Sequence, residues 1–320
     1  MKPLVTGIAT ALAVAGLAGC SGGQYADTPL PSTASSSSSS SAPSSSSTAA
    51  ACQDATTSYD PLPGVPSLSG TDDKAMQTIR ERGYLIAGVS SDSYLLGANN
   101  PLTGQIEGFD IDIAKAIAKA IFGDEDKLRL VVITASDRIP ALEEGRVDIV
   151  TRNMTMTCER WKQIAFSSEY YHAGQKVLVT RDSTARTLAD LKGQRVCAPT
   201  GTTSLAKLQQ VSGVKAVTAA NHTGCLILFQ QGQADAITGD DTVLAGLAAQ
   251  DPYAKVTDAE AITDEPYGIG VAKENVYLVR YINSVLADLR SSGEWKEIYD
   301  RWLAARLGKA PRPPAPVYGR

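Results

Sequence analysis

Histidine is almost missing from this chain: only His172 and His222 occur in 320 residues. Two histidines exclude a His-rich metal site, and the sequence implies no metal and no cofactor. Charge of one sign is also lacking. Lys and Arg number 30 against 34 Asp and Glu, for a formal net charge of -4, and the basic residues are not clustered. That balance argues against nucleic acid as a partner. Nor is there an apolar run of the roughly 20 residues that a membrane-spanning helix requires. At this length the chain has room for two modest domains.

What is present begins with an export signal. Lys2 precedes an apolar run from Leu4 to Ala18, which reads as the core of a signal peptide over residues 1–19. The ending Leu17-Ala18-Gly19-Cys20 resembles a bacterial lipobox, so Cys20 is expected to become the lipidated first residue of the mature protein. The anchor would hold the protein on the extracytoplasmic face of the bacterial cell membrane. Residues 20–70 are rich in Ser, Thr, Ala and Pro, with unbroken serine from Ser35 to Ser41. Such a stretch buries too little apolar surface to offset ordering, and reads as a disordered tether. Its root-mean-square reach is on the order of 40 Å. With Cys20 assigned to lipid, four cysteines remain, an even number in an exported protein, which favours disulfides. Three pairings are open. Cys197 with Cys225 is favoured because both fall in one lobe; Cys52 with Cys158 then follows, and would pin the tether's end to the other lobe.

The folded part reads as α/β, and one unit occurs in it twice. Residues 139–150 and 226–238 each run from an apolar helical stretch to a glycine, Gly145 or Gly232, and then to a small residue plus Asp opening a short strand. The glycines stand where a helix C-terminus favours a left-handed residue. Both strands end in polar loops, and in open α/β sheets ligands gather at the carboxyl ends of strands. Two such loops predict two α/β lobes facing each other across a cleft. Further elements are predicted: a helix over Lys74–Arg82, a strand over Tyr84–Val89, and a helix after Gly108 with Ile113, Ile117 and Ile121 on one face. A strand over Tyr267–Ala272 and helices over Val276–Leu289 and Trp295–Leu307 follow. Lobe 1 is assigned to residues 71–174 plus 267–310 and lobe 2 to 175–266. The Pro-rich residues 311–320 are expected to form a flexible tail.

The densest polar site is the run from Thr151 to Arg160. Thr157 has the character of an N-cap, with Glu159 and Arg160 in the first helical turn. Free N–H groups at a helix start attract an anion, and Arg adds a bidentate clamp for a carboxylate. Arg160 stands against the helix dipole there, which favours a functional role over a solvated one.

Four segments in order resemble the polar amino-acid-binding proteins of ABC importers. They are Gly108-Phe109-Asp110-Ile111-Asp112-Ile113-Ala114, Arg138-Ile139-Pro140-Ala141-Leu142, Met154 to Arg160, and Phe166-Ser167-Ser168-Glu169-Tyr170-Tyr171. Within that family the chain is similar to actinobacterial glutamate/glutamine-binding lipoproteins of the GlnH type, over about residues 72–307. The resemblance implies the two-lobed periplasmic-binding-protein type II fold, with a hinge and a ligand cleft between the lobes. It implies that Arg160 holds the ligand's α-carboxylate and that Asp240 takes the α-ammonium. Thr155, the backbone around Asn153, and Thr202 or Thr203 would complete the head-group site. Ser90 and Tyr94 lie in the loop where family members often supply a polar and an aromatic contact, and Tyr94 could cover the ligand side chain. The chain departs from the family in carrying Arg152 and Asn153 where small residues often stand. Burying an unpaired Arg costs several kcal/mol, so Arg152 favours glutamate or aspartate, then asparagine or glutamine. The alternative for Arg152 is a rim residue paired with Asp137 or Asp241. Arg138 approaches the ligand or makes a structural ion pair. Trp161, Trp295 and Trp302 read as packing residues.

The expectation is thus a monomeric, membrane-tethered receptor for a polar amino acid, a small-molecule ligand, that hands its closed form to an ABC permease. A membrane sensor is the alternative partner. An enzyme on the same fold is disfavoured. A cell-wall lytic enzyme needs a further domain, and a dehydratase needs an acid/base group that no histidine near either loop is expected to supply.

Overall fold

The computed structural model describes residues 54–65 and 72–320; Cys20, Cys52 and the expected signal peptide lie outside the described residues. Two sheets organise what is described. The first has five strands in the order Leu128–Val132, Leu85–Val89, Ile149–Val150, Gly270–Ala272, Ile164–Phe166. Its first three strands run parallel, and Gly270–Ala272 is antiparallel to both neighbours. The second sheet runs Lys215–Ala219, Arg195–Pro199, Ala236–Asp240, Tyr171–Thr180, Ala254–Val256, again with a parallel trio and an antiparallel strand beside it. Each sheet with its helices is one lobe.

The helix Phe109–Phe122 illustrates how sequence builds the first core. Phe109, Ile113, Ile117 and Ile121 recur at helical spacing, and all are buried. Each such side chain contributes about 1.5–3 kcal/mol when removed from water. The second lobe has apolar clusters around Leu178 and Ile237 and around Val177 and Ala236. Adjacent residues of its central strands fall in different clusters, as period-two alternation in a sheet covered on both faces requires. Gly145 and Gly232 both sit at φ +65°, so the repeated unit is real in the backbone.

Two segments join the lobes. Tyr171–Thr180 leaves the first lobe and becomes a strand of the second; Asp264–Tyr267 returns antiparallel to its first half, with Tyr267 opposite Tyr171. The predicted strand over Tyr267–Ala272 is therefore two strands, Asp264–Tyr267 and Gly270–Ala272. Between them the Gly268 N–H turns to the Met154 carbonyl at 3.0 Å instead of continuing either sheet. The predicted helix over Trp295–Leu307 likewise divides into Glu294–Trp302 and Ala304–Leu307.

Two described stretches depart from expectation. Thr57–Ser58, inside the expected tether, pairs in parallel with Val317–Tyr318, inside the expected flexible tail. Ser58 donates to the Phe166 carbonyl at 2.8 Å, and Asn283 donates to Ser58 and to the Tyr59 carbonyl at 3.0 and 2.7 Å. Leu62 is buried and Tyr59 packs edge-on against Trp161. Those two apolar side chains give an otherwise Ser/Pro-rich stretch something to bury. The three tryptophans do pack structurally: the indole N–H groups of Trp161, Trp295 and Trp302 donate to Ala55, Tyr170 and Asp112.

Candidate functional site

The polar loop after Ile149–Val150 forms one wall of the site. Asn153 takes φ +36°, which turns its N–H onto the Asp110 carboxylate at 2.9 Å. Asp110 lies in the first turn of Phe109–Phe122 and also accepts from the Tyr170 hydroxyl at 2.8 Å. Burial still pushes its pKa up to about 6, against the pull of Tyr170, Asn153 and the arginines. Farther along, the Thr157 hydroxyl caps the short helix Cys158–Trp161 by accepting from the Arg160 N–H at 3.2 Å. The guanidinium of Arg160 donates to the Thr155 carbonyl at 2.6 Å and to Gly201 of the second lobe at 3.1 Å.

The second lobe and the returning hinge strand form the facing wall. Asp240 ends the strand Ala236–Asp240, at the carboxyl edge of its sheet. Tyr267 donates to Asp240 at 2.6 Å, and the Ser204 hydroxyl stands 3.5 Å from its other oxygen. Burial first, then the neighbouring Glu265 charge, push Asp240 up to about 7. Glu265 is 2% exposed and collects three hydroxyls: Thr155 at 2.6 Å, Thr203 at 2.7 Å and Thr263 at 2.6 Å.

Three arginines converge between these walls. Arg138 and Arg152 are 2% and 5% exposed, while Arg160 is partly open to solvent. Among the described residues, none has a carboxylate oxygen within 4.0 Å. Their hydrogen bonds go to backbone carbonyls instead. Arg138 reaches Ala135, Asn153 and Gly201 at 2.9, 3.0 and 3.0 Å, and Arg152 reaches Ile133 at 2.9 Å. Burial lowers the pKa of all three. Carbonyls satisfy N–H groups but do not neutralise charge. The arrangement is a cleft with excess positive potential on one side and two buried carboxylates, Asp240 and Glu265, on the other. It can hold a small zwitterion, anion toward the arginines and cation toward the acids.

The structure brings Arg160, Asp240, Thr155, Arg152, Asn153 and Thr203 together. Thr202 is otherwise engaged: its hydroxyl caps the helix Thr203–Leu208 and donates to the Pro199 carbonyl at 2.7 Å. Ser90 is buried, but its hydroxyl bonds Asp92 and Ser93 within its own loop. Tyr94 is not brought to the cluster. It is 45% exposed, in an outer groove with Asn99, Thr223, Gln250 and Trp302. Arg152 is not a rim residue; Asp92, Asp110 and Asp137 act on it only through space. Sequence reasoning passed over Asp110, Glu265 and Tyr267. The available signal for Glu265 was the acidic pair Asp264-Glu265 directly before Pro266 in a strand-forming stretch. His222 corrects a second expectation, because the fold carries its ring against Gly239, next to Asp240.

Cys197 and Cys225 are joined by a disulfide across 28 residues, tying strand Arg195–Pro199 to helix His222–Gln230. Cys158 is also disulfide-bonded.

Two α/β lobes linked by two hinge strands around a charged cleft define a bilobal ligand-binding fold. The chain belongs to the bacterial extracellular solute-binding proteins, family 3, whose sequence profile matches residues 85–305. It is 42% identical over 221 residues to the glutamine-binding protein of Geobacillus stearothermophilus, covering 68% of this chain and 83% of that one. It is 38% identical over 230 residues to the ABC transporter glutamine-binding protein GlnH of Bacillus subtilis, covering 71% and 84%. Among solved structures, a mutant of ArgBP from T. maritima superposes with a TM-score of 0.67 at 34% identity, covering 72% of this chain and 99% of that one.

Proposed function

We propose that this protein is the extracytoplasmic receptor of an ABC importer, captures a polar amino acid between its lobes, and presents the closed form to the permease. One observation carries the reading: three arginines without a contacting carboxylate face the buried Asp240 and Glu265 across a single cleft. An α-amino acid supplies both missing complements. Arg160 would hold the α-carboxylate, and Asp240 with Glu265 the α-ammonium, while Arg138 and Arg152 favour a side chain ending in a carboxylate. Glutamate or aspartate is therefore the first expectation. Glutamine is the second, favoured by the names of the two relatives above. Lipidation at Cys20 would keep the receptor at the membrane.

Calorimetry of the soluble domain with glutamate, aspartate, glutamine and asparagine tests the proposal. At least one should bind, and Arg160→Ala should weaken it by 2–5 kcal/mol or more, as about expected when one partner of a buried charged contact is truncated. Normal affinity in that variant would remove Arg160 from the head-group site. No binding of any of the four would end the amino-acid reading.

A further inference from the structure

His222 opens the helix His222–Gln230, which Asn221 caps by accepting from the Gly224 N–H at 2.7 Å. The start of this helix is pressed onto the first lobe, where Thr223 donates to the Asp92 carbonyl at 3.0 Å. The imidazole lies along Gly239. A Cβ added there would run into Nε2, with Cδ2 at 3.0 Å and Cε1 at 3.3 Å. Nε2 is buried and has no hydrogen-bond partner among the described residues. The nearby Thr238 backbone acts on the ring in the sense that raises its basicity. In the Nδ1–H tautomer Nε2 is a bare acceptor.

The charges around the ring are Arg152 and Arg138. Beyond Arg152 stand Asp92, Asp110 and Asp137, and Asp240 follows Gly239 on its strand. Burial first, then Arg152, push His222 down to about 3, so the imidazole is neutral at neutral pH.

We propose that His222 reads the end group of the bound amino acid's side chain, accepting from a carboxamide as the neutral ring and taking up a proton when the end group is a carboxylate. The proposal rests on the amino-acid reading of the cleft. A carboxamide offers its oxygen to Arg152 and an N–H to Nε2. A carboxylate has no donor, so two lone pairs would meet unless Nε2 gains a proton. The incoming negative charge offsets the two arginines and makes that protonation favourable. Both complexes then carry the same local charge.

Only two histidines occur, and the other, His172, pairs with Glu169 and is half exposed, so imidazole nitrogen NMR resolves His222 directly. In the glutamine complex at neutral pH it should be the Nδ1–H tautomer; in the glutamate complex both nitrogens should carry hydrogen. Calorimetry in buffers of different ionisation enthalpy should record about one more proton taken up with glutamate than with glutamine. The preference for glutamate over glutamine should rise by up to about tenfold per pH unit as pH falls from about 8 to about 5.5. It should become flatter in His222→Gln and in Gly239→Ala, which displaces the ring without changing its chemistry. Asp240 and Asp110 titrate in the same range but are present in all of these proteins. A neutral His222 in both complexes, or an unchanged pH dependence in His222→Gln, overturns the proposal while leaving the amino-acid reading intact. If neither ligand binds the unaltered protein, both fall together.

Discussion

The guanidinium of Arg160, in the first lobe, donates to the carbonyl oxygen of Gly201, in the second, at 3.1 Å. Arg138 donates to the same oxygen at 3.0 Å. Gly201 is thus a point where the two lobes meet around the cleft. It has φ +75°, and a Cβ there would stand 2.7 Å from Ser136 Cα and 2.9 Å from Ser136 N. Backbone cannot yield as a flexible side chain would, so only glycine lets the lobes approach this far.

Gly201→Ala should therefore resist closure. The left-handed conformation costs about 1–3 kcal/mol for a residue with a Cβ, and opening the lobes relieves the clash, so the fold should survive. Ligand affinity should fall by one to two orders of magnitude, roughly 1.4–2.8 kcal/mol. Small-angle scattering should register less compaction with ligand than in the unaltered protein. Equal compaction and affinity would mean that the lobes close on a different contact.

Asp240 predicts a pH dependence with a defined sign. Its pKa is raised to about 7 in the folded protein against an ordinary value of 3.8. A group raised on folding contributes stability fully below its unfolded value and loses it as pH rises through the folded one. Asp240→Asn should therefore be more stable than the unaltered protein near pH 8, by a few kcal/mol at most on the order of the shift. That advantage should vanish toward about pH 4. Comparing the two proteins by thermal melting at each pH cancels His222, whose lowered pKa acts in the opposite direction. The same substitution should weaken amino-acid binding above neutral pH. A stability difference independent of pH would mean that Asp240 ionises normally.

Much of this site is legible in the sequence because its parts are local. The Thr157 cap, Arg160 three residues later, and the helix-glycine-strand unit are relations within a dozen residues. Asp240 and the arginine-rich loop are readable as strand ends. Glu265 was not, since its partners Thr155 and Thr203 lie 110 and 62 residues away and meet it only when the hinge strand returns. His222 was hidden similarly: helix His222–Gln230 and strand Ala236–Asp240 must pack before its ring reaches Gly239. Tyr94 failed for a different reason. Its ring lies in an outer groove, 45% exposed, and the direction of a side chain leaves no trace in residue spacing.

The disulfide Cys197–Cys225 closes a loop of 28 residues, for which the chain-entropy relation gives about 3–4 kcal/mol of stabilisation. The double substitution Cys197→Ala and Cys225→Ala avoids a stray thiol. It should lower stability by up to that amount, and denaturant melting should place the loss in the second lobe. Because Cys225 sits on the helix that carries His222, the glutamate/glutamine preference should shift more than the affinity for the head group. Unchanged melting would assign the bridge no role in stability.

The C-terminal residues form a clasp whose removal separates stability from binding. Gly319 and Arg320 donate their N–H groups to the Ser58 carbonyl, both at 3.1 Å. The Arg320 guanidinium reaches the Thr57 carbonyl at 2.9 Å and stands 3.9 Å above the Trp161 ring. A cation over an indole contributes about 0.5–2 kcal/mol, and each hydrogen bond about 0.5–1.5 kcal/mol net. Deleting residues 311–320 should thus lower stability by about 1–4 kcal/mol, the bonds being partly exposed. Trp161 directly follows Arg160, so the clasp braces the back of the helix that presents the ligand-facing guanidinium. Arg160 nonetheless keeps its own partners, Thr157 and Thr155, in the truncated chain. Affinity should accordingly stay within about threefold, or roughly 0.65 kcal/mol, while the melting temperature falls. An unchanged melting temperature would mean that the clasp frays in solution; a large loss of affinity would mean that Trp161 positions Arg160.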